Sequence, residues 1–284
     1  MFESDEIVKK FSDLKTMPHV AIRVTQLIGS EEATMQEFEE VIKLDPILVT
    51  RLLRLVNSPY FGLSNQVDSI AKAVVFVGMK HLRNLVAVEA LRDMFKDRED
   101  SGFSRRSLWL HCATVAILCE MIAKRIFGLP GEDFFLAGII HDIGLIAEDQ
   151  VAGDFLRKAC EAYRPAENPL VEYEREHIGT DHCRVGVSLI RGWGLPEGVG
   201  RAVRFHHDRE REVEIESNLG VLMLAEYFAG RMKYSTIPDK VESLAPGLVG
   251  HVKAKMADYK VIVRDLPEEI AKAKELYSSE GDND

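Results

Sequence analysis

Apolar residues recur every three to four positions along almost the whole chain, and alternating runs of the kind that make half-buried strands are scarce. Val20, Val24, Leu27 and Ile28 form one helical stripe just after Pro18. Thr34-Met35-Gln36-Glu37 has the form of a capping box and predicts a short helix with Phe38, Val41 and Ile42 on its inner face. Asp45-Pro46 reads as an N-cap followed by proline in the first turn, opening a helix through Val56. Asn57-Ser58-Pro59-Tyr60-Phe61-Gly62 breaks it, and Asn57 suits the left-handed conformation that ends helices. Ser69 caps the next helix, Gly78 closes it, and a longer one runs from Met79 to Phe95. The same pattern predicts helices over about 107–127, 132–147, 151–163, 169–178, 181–193, 197–207 and 216–233, punctuated by Gly and Pro. A polar pair of helices and a frayed acidic tail end the chain. The fold class is all-α.

The polar stretch Lys96 to Arg106 is the best internal boundary, and it predicts an N-terminal helical half over 1–100. A second half over 101–235 and a C-terminal extension over 236–284 follow. The 284 residues are 46% hydrophobic and 29% charged, which excludes disorder along the whole length. Lys and Arg total 36 against 46 Asp and Glu, a net charge of -10 that argues against general nucleic-acid binding and against anionic membranes. The apolar runs Phe134 to Ile140 and Leu219 to Ala225 are core-helix length, so no membrane span is expected. The start, Met1 to Glu6, is acidic and lacks the basic-then-apolar pattern of a secretion signal. Cys112, Cys119, Cys160 and Cys183 form no Cys-x-x-Cys pair and read as reduced thiols of a cytoplasmic protein.

The histidines are unevenly spread. His111, His141, His177, His182, His206 and His207 fall between residues 111 and 207, and Asp142 directly follows His141. The spacings are those of neither zinc fingers nor zincins, and they suit a site assembled from several helices. Adjacent helical residues point roughly 100° apart, so His141-Asp142 and His206-His207 either bracket two ions or work from a helix end. A carboxylate can bridge two cations, whereas each imidazole gives one nitrogen to one cation. Gly144 lets the helix break and permits close backbone approach. Glu226, in Leu224-Ala225-Glu226-Tyr227, is a carboxylate on an apolar helix and needs a partner. By themselves His141-Asp142 and His111 read equally well as hydrogen-bonded core groups, and His182 and His206-His207 as surface ones, so spacing alone leaves the ligand set open. A His/carboxylate set without thiolate favours a divalent pair of Fe, Mn, Ni or Zn. His177 reads as a solvated helix residue, Cys183 as core, and His19, His81 and His251 as ordinary histidines.

At this point the sequence resembles the HD superfamily of metal-dependent phosphohydrolases, through His111, His141-Asp142-Ile143-Gly144, His182 and His206-His207. The nearer likeness is to the HDOD domain, a regulatory relative in bacterial signalling. Pro18, Asp45-Pro46, Leu52-Leu53, Asn57-Ser58, Phe61-Gly62, Gly78 and Leu82-Arg83 match its N-terminal hallmarks. Trp109-Leu110-His111, Gly138 to Gly144, Gly179-Thr180-Asp181-His182, Gly186 and Trp193-Gly194-Leu195-Pro196 match its C-terminal ones. The likeness covers roughly residues 14 to 230. It implies a compact helical fold, metal ligation by His111, His141, Asp142, His182, His206, His207 and Glu226, and a signal-transduction role, with other signalling proteins as partners and a nucleotide or another phosphate as ligand. Active cyclic-dinucleotide phosphodiesterases of the HD-GYP type carry Lys where this chain has Leu145, and their substrate motif is replaced by His206-His207-Asp208-Arg209. Their last ligand helix offers Asp where Glu226 stands. The departures imply a regulatory module rather than an efficient catalyst. The alternative is a metal-dependent phosphohydrolase or phosphodiesterase acting on a nucleotide or cyclic dinucleotide.

Overall fold

The computed structural model describes residues 1–14, 23, 34–95, 103–165, 167–237 and 243–273. The stripe at Val20 to Ile28, most of the boundary at Lys96 to Arg106 and the acidic tail lie outside the described residues. Among the described residues there is no strand.

Before residue 96 lie α1 (Ser4–Leu14), α2 (Met35–Lys43), α3 (Pro46–Val56), α4 (Ile70–Val77) and α5 (Met79–Arg92), of which α2, α3 and α4 form where a side-chain cap starts them. The capping box is closed in both directions: Glu37 N–H donates to Thr34 Oγ1 at 3.3 Å, and Thr34 N–H donates to the Glu37 carboxylate at 2.9 Å. Asp45 Oδ1 accepts from the N–H groups of Ile47 and Leu48 at 3.0 Å each, tying down two donors that α3 cannot pair internally. Gly78 ends α4 at φ +83, a conformation that side chains resist. Asn57 departs from expectation. It sits at φ -83, not in the left-handed region, and acts through its side chain instead. Its amide donates to the carbonyls of Leu53 and Val67, and its carbonyl oxygen accepts from Val67 N–H, all at 2.7 Å. The sequence pattern also misses α1, which is mostly polar but buries Ile7 and Phe11, one turn apart, against later helices.

The second half is built around α6 (Arg105–Ile122), which is buried along nearly its whole length and passes through a π-turn to Phe127. Gly128, at φ +66, closes it. Around it lie α7 (Glu132–Ile140), α8 (Ile143–Ala162), α9 (Leu170–His177), α10 (His182–Gly192), α11 (Glu197–Phe205) and α12 (Asn218–Arg231). α6 packs on α7 and α12, α8 on α9 and α10, and α11 on α10 and α12. The final pair, α13 (Pro246–Ala254) and α14 (Met256–Lys272), returns to the same centre, with α14 lying on α6.

The expected helix over 132–147 is divided: α7 ends at Ile140, and α8 begins at Ile143. α8 then runs on through the gap expected before 151, because no proline stands there, and bends at Ala152 (φ -132, ψ 33). The break leaves His141 and Asp142 at the junction of two helices, where adjacent side chains escape the helical 100° separation. Gly144 is required by a close approach: a Cβ there would lie 2.0 Å from the His182 carbonyl oxygen. Its absence lets α8 and α10 meet backbone to backbone beside the histidines.

Candidate metal centre

Six helices position the candidate ligands. His111 comes from α6, His141 and Asp142 from the α7–α8 junction, His182 from the first residue of α10, His206 and His207 from the end of α11, and Glu226 from α12. All seven residues are buried.

Four imidazoles are oriented in the same way. His111 Nδ1 is 2.7 Å from the Tyr234 carbonyl, His141 Nδ1 is 2.8 Å from that of Gly138, and His206 Nδ1 is 2.9 Å from that of Val203. A carbonyl only accepts, so each Nδ1 carries the hydrogen and each Nε2 turns its lone pair inward when the ring is neutral. His182 Nδ1 faces the buried Glu174 carboxylate at 2.7 and 2.8 Å, and Glu174 also accepts from the His182 backbone N–H at 2.9 Å.

The inward nitrogens surround Asp142 in two sets. Asp142 Oδ2 lies 3.3 Å from His141 Nε2 and 3.7 Å from His111 Nε2, whereas Oδ1 lies 3.4 Å from both His182 Nε2 and His206 Nε2. Glu226 Oε1 closes the first set, 3.0 Å from His111 Nε2 and 3.1 Å from His141 Nε2. None of the four Nε2 atoms, nor Glu226 Oε1, has a hydrogen-bond partner despite full burial. Buried polar atoms are seldom left so, and four imidazole nitrogens around one carboxylate, with a second carboxylate oxygen beside two of them, make a donor set that fits cations. His207 stands with the second set: its ring centre is 4.0 Å from that of His206 and 5.0 Å from that of His182. His182, Cys183, His206 and His207 each offer a donor atom within 4.8 Å of the others. Cys183, read from sequence as core, is buried as expected, but its Sγ lies 3.8 Å from His206 Nδ1.

Charge follows geometry. Burial lowers the His141 pKa, but the Asp142 and Glu226 carboxylates more than reverse this and lift it to about 9. Burial likewise works against protonated His206, yet Cys183 and Asp142 carry it to about 10. Burial opposes a charged His182 as well, and Glu174 raises its pKa well above the ordinary value. Glu226 is displaced downward: burial favours its neutral form, and His111 and His141 outweigh burial. Without a cation, then, the cluster holds protons where cations would otherwise sit. The Cys183 thiol, which burial would push up, is brought down to about 7 by His206 and His182. Behind His182, Glu148 is fully buried with neither oxygen hydrogen-bonded, and burial, with Glu174 beside it, raises its pKa strongly.

A family model for the HDOD domain matches residues 14–209. The chain belongs to the HDOD family. An uncharacterized protein of Treponema pallidum (strain Nichols) is 25% identical over 244 residues, which is 82% of this chain and 46% of that protein. The chain spans less than half the length of the curated relatives it matches. Among solved structures, a candidate phosphohydrolase from Shewanella amazonensis SB2B superposes with a TM-score of 0.71 at 23% identity, covering 95% of this chain and 96% of that one. A candidate signal transduction protein from Marinobacter aquaeolei VT8 gives 0.73 at 19% identity, over 96% of this chain and 65% of that one. These likenesses establish the HDOD fold. No helix among the described residues is long and apolar enough to cross a membrane.

Proposed function

We propose that this HDOD protein is a signal-transduction module whose second half holds two divalent cations bridged by Asp142. His111, His141, Glu226 and Asp142 Oδ2 would hold one cation; His182, His206 and Asp142 Oδ1, with His207 beside them, would hold the other. The observation that carries this reading is the convergence of four buried Nε2 atoms on the two oxygens of Asp142, with Glu226 Oε1 set against two of the four. A donor set of imidazole and carboxylate suits Fe, Mn, Ni or Zn. When bound, such ions supply Lewis acidity and acidify a coordinated water.

Regulation is favoured over rapid turnover by the wall of the site. Leu145 is 1% exposed and brings no cation to a phosphate, and the ligands are enclosed on nearly every side. Output would pass to other signalling proteins by contact, in line with the signal transduction protein that shares the fold. The division near residue 100 and again near 235 belongs to the same proposal, with the first half and the extension packed on the metal-bearing half. A phosphohydrolase is the second reading, and one observation favours it. An opening of about 390 Å³, lined by Cys183 and His207 and by Arg175, Arg204 and Arg209 among Glu172, Asp208 and Glu210, gives a ligand access to the second set of histidines.

Elemental analysis of natively purified protein tests the proposal. About two transition-metal ions per chain are expected, with both lost in Asp142→Ala and at least one in His141→Ala, while far-ultraviolet circular dichroism stays helical. Purified wild-type protein that neither contains such metals nor takes them up would overturn it. Robust, Asp142-dependent hydrolysis of a cyclic dinucleotide would move the assignment to the second reading.

A further inference from the structure

A second concave site lies along α11, with none of the candidate metal ligands in its lining. It is a cavity of about 610 Å³ between α10 and α11, within the usual size of small-molecule sites (about 300–1,000 Å³). Val187, Ile190, Leu195 and Pro196 give it an apolar lining. Its rim carries Arg191, Arg201, Arg204 and Arg211, against the single carboxylate of Glu197.

The concentration of positive charge is unusual for a chain with a net charge of -10. Several other surface arginines are matched with acids, Arg125 with Asp265 and Glu269, Arg157 with Asp154, and Arg175 with Glu172 and Asp181, and others that are not, Arg54, Arg164 and Arg231, lie outside this cavity's lining. Among the described residues, Arg191, Arg201 and Arg204 form no ion pair. Three like charges held around one cavity repel one another, and an anion placed among them relieves that repulsion. Guanidinium groups also match phosphate geometry through paired N–H donors. The fourth, Arg211, is held by Asp208 at 3.3 Å and lies 3.5 Å above the Phe205 ring centre, making a flat cation–ring stack on the cavity wall. The lining therefore asks for two things in one ligand: several negative charges, and a flat, weakly polar group.

We propose that the cavity between α10 and α11 binds a nucleoside polyphosphate, with its phosphates among Arg191, Arg201 and Arg204 and its base against the apolar lining and the Phe205–Arg211 stack. The site does not depend on the metal reading, since none of its lining residues is a candidate ligand. It is nevertheless adjacent to that centre: Arg204 and Phe205 also line the opening that contains Cys183 and His207, and Phe205 directly precedes His206. Nucleotide at one site would thus be felt at the end of α11.

Calorimetric titration of the full chain, as purified and again with EDTA, tests the proposal with ATP, GTP, tripolyphosphate and the free nucleosides. One-site binding of a nucleoside triphosphate is expected in both conditions, about tenfold tighter than tripolyphosphate, with nucleosides weaker still. The Arg191→Ala/Arg201→Ala double variant should weaken it about tenfold or more, since each removes a charge-assisted contact, with metal content and melting temperature unchanged. Tripolyphosphate binding as tightly as the nucleotide would reduce the site to an anion patch and overturn the proposal, as would absence of nucleotide binding. Binding that survives the double variant and vanishes with EDTA would belong to the metal centre, overturning this site and leaving the metal reading intact. A metal-free chain whose nucleotide binding is lost in the double variant would do the reverse.

Discussion

His141 is the residue at which folding, charge and chemistry meet. Its Nδ1–H is spent on the Gly138 carbonyl, so only Nε2 is left to exchange a proton for a cation. In metal-free protein the folded-state pKa of about 9 stands above the ordinary 6.5. A raised pKa contributes stability that is whole below pH 6.5 and is lost as pH rises through about 9. Chelator-treated protein should accordingly show a falling melting temperature across that window, and His141→Ala should flatten the fall. Metal binding in the same window must expel the proton, so apparent metal affinity should rise with pH toward 9, and calorimetry near pH 7 in buffers of different ionisation enthalpy should register proton release. The histidines were legible in the sequence because an imidazole on an apolar helix needs a reason to be there, and the same holds for Glu226. Glu174 was not legible. It sits in Glu172-Tyr173-Glu174-Arg175-Glu176, where charge is commonplace, and only the turn between α9 and α10 brings it under the His182 ring. Cys183 gave no signal either, since a buried thiol looks alike whether it fills space or faces an imidazole.

At the level of elements, starts were more legible than interiors. Thr34, Asp45 and Ser69 cap the helices that follow them through their own side chains, so local chemistry was sufficient there, whereas the Ser104 cap went unread and its helix starts at Arg105, two residues before the expected 107. The break at His141-Asp142 has no such marker, for Gly144 lies beyond it and serves the approach to His182 rather than the turn. The α3 terminus shows a further limit of local reasoning. Asn57 was expected to end the helix by its backbone, yet it does so by reaching ten residues onward to Val67, and no periodicity predicts a loop partner. Asn57→Ala removes both bonds to Val67 and should cost about 2 kcal/mol, read as a lower urea midpoint at unchanged slope. Asn57→Gly, tolerant of left-handed backbone, should not recover that loss if the side chain is what matters.

Across the whole molecule, the first half meets the second through polar as well as apolar contacts. His81 of α5 stands between Glu120 of α6, at 3.3 Å, and Glu132 of α7, at 3.2 Å, while Tyr60 donates to Glu120 from the loop after α3. Burial alone would raise the Glu120 pKa, but His81, Lys124 and Tyr60 lower it from 4.5 to about 2. A depressed carboxylate pKa contributes stability above pH 4.5 that is lost as pH falls through about 2. Acid unfolding should therefore be shifted to higher pH in Glu120→Gln, followed by tryptophan fluorescence. The reading of His81 as an ordinary histidine missed this seam, because its partners lie 39 and 51 residues further along the chain. Arg105 pins the other end of the seam. Fully enclosed, it donates from Nε to Asp149, from Nη1 to the Met94 carbonyl and from Nη2 to Gln150, so all three nitrogens are occupied. A guanidinium so tied and shut away from water has nothing to trade its acceptors for. Taking it away would leave the Asp149 carboxylate, the Met94 carbonyl and the Gln150 amide without the donor they share, in a place solvent does not reach.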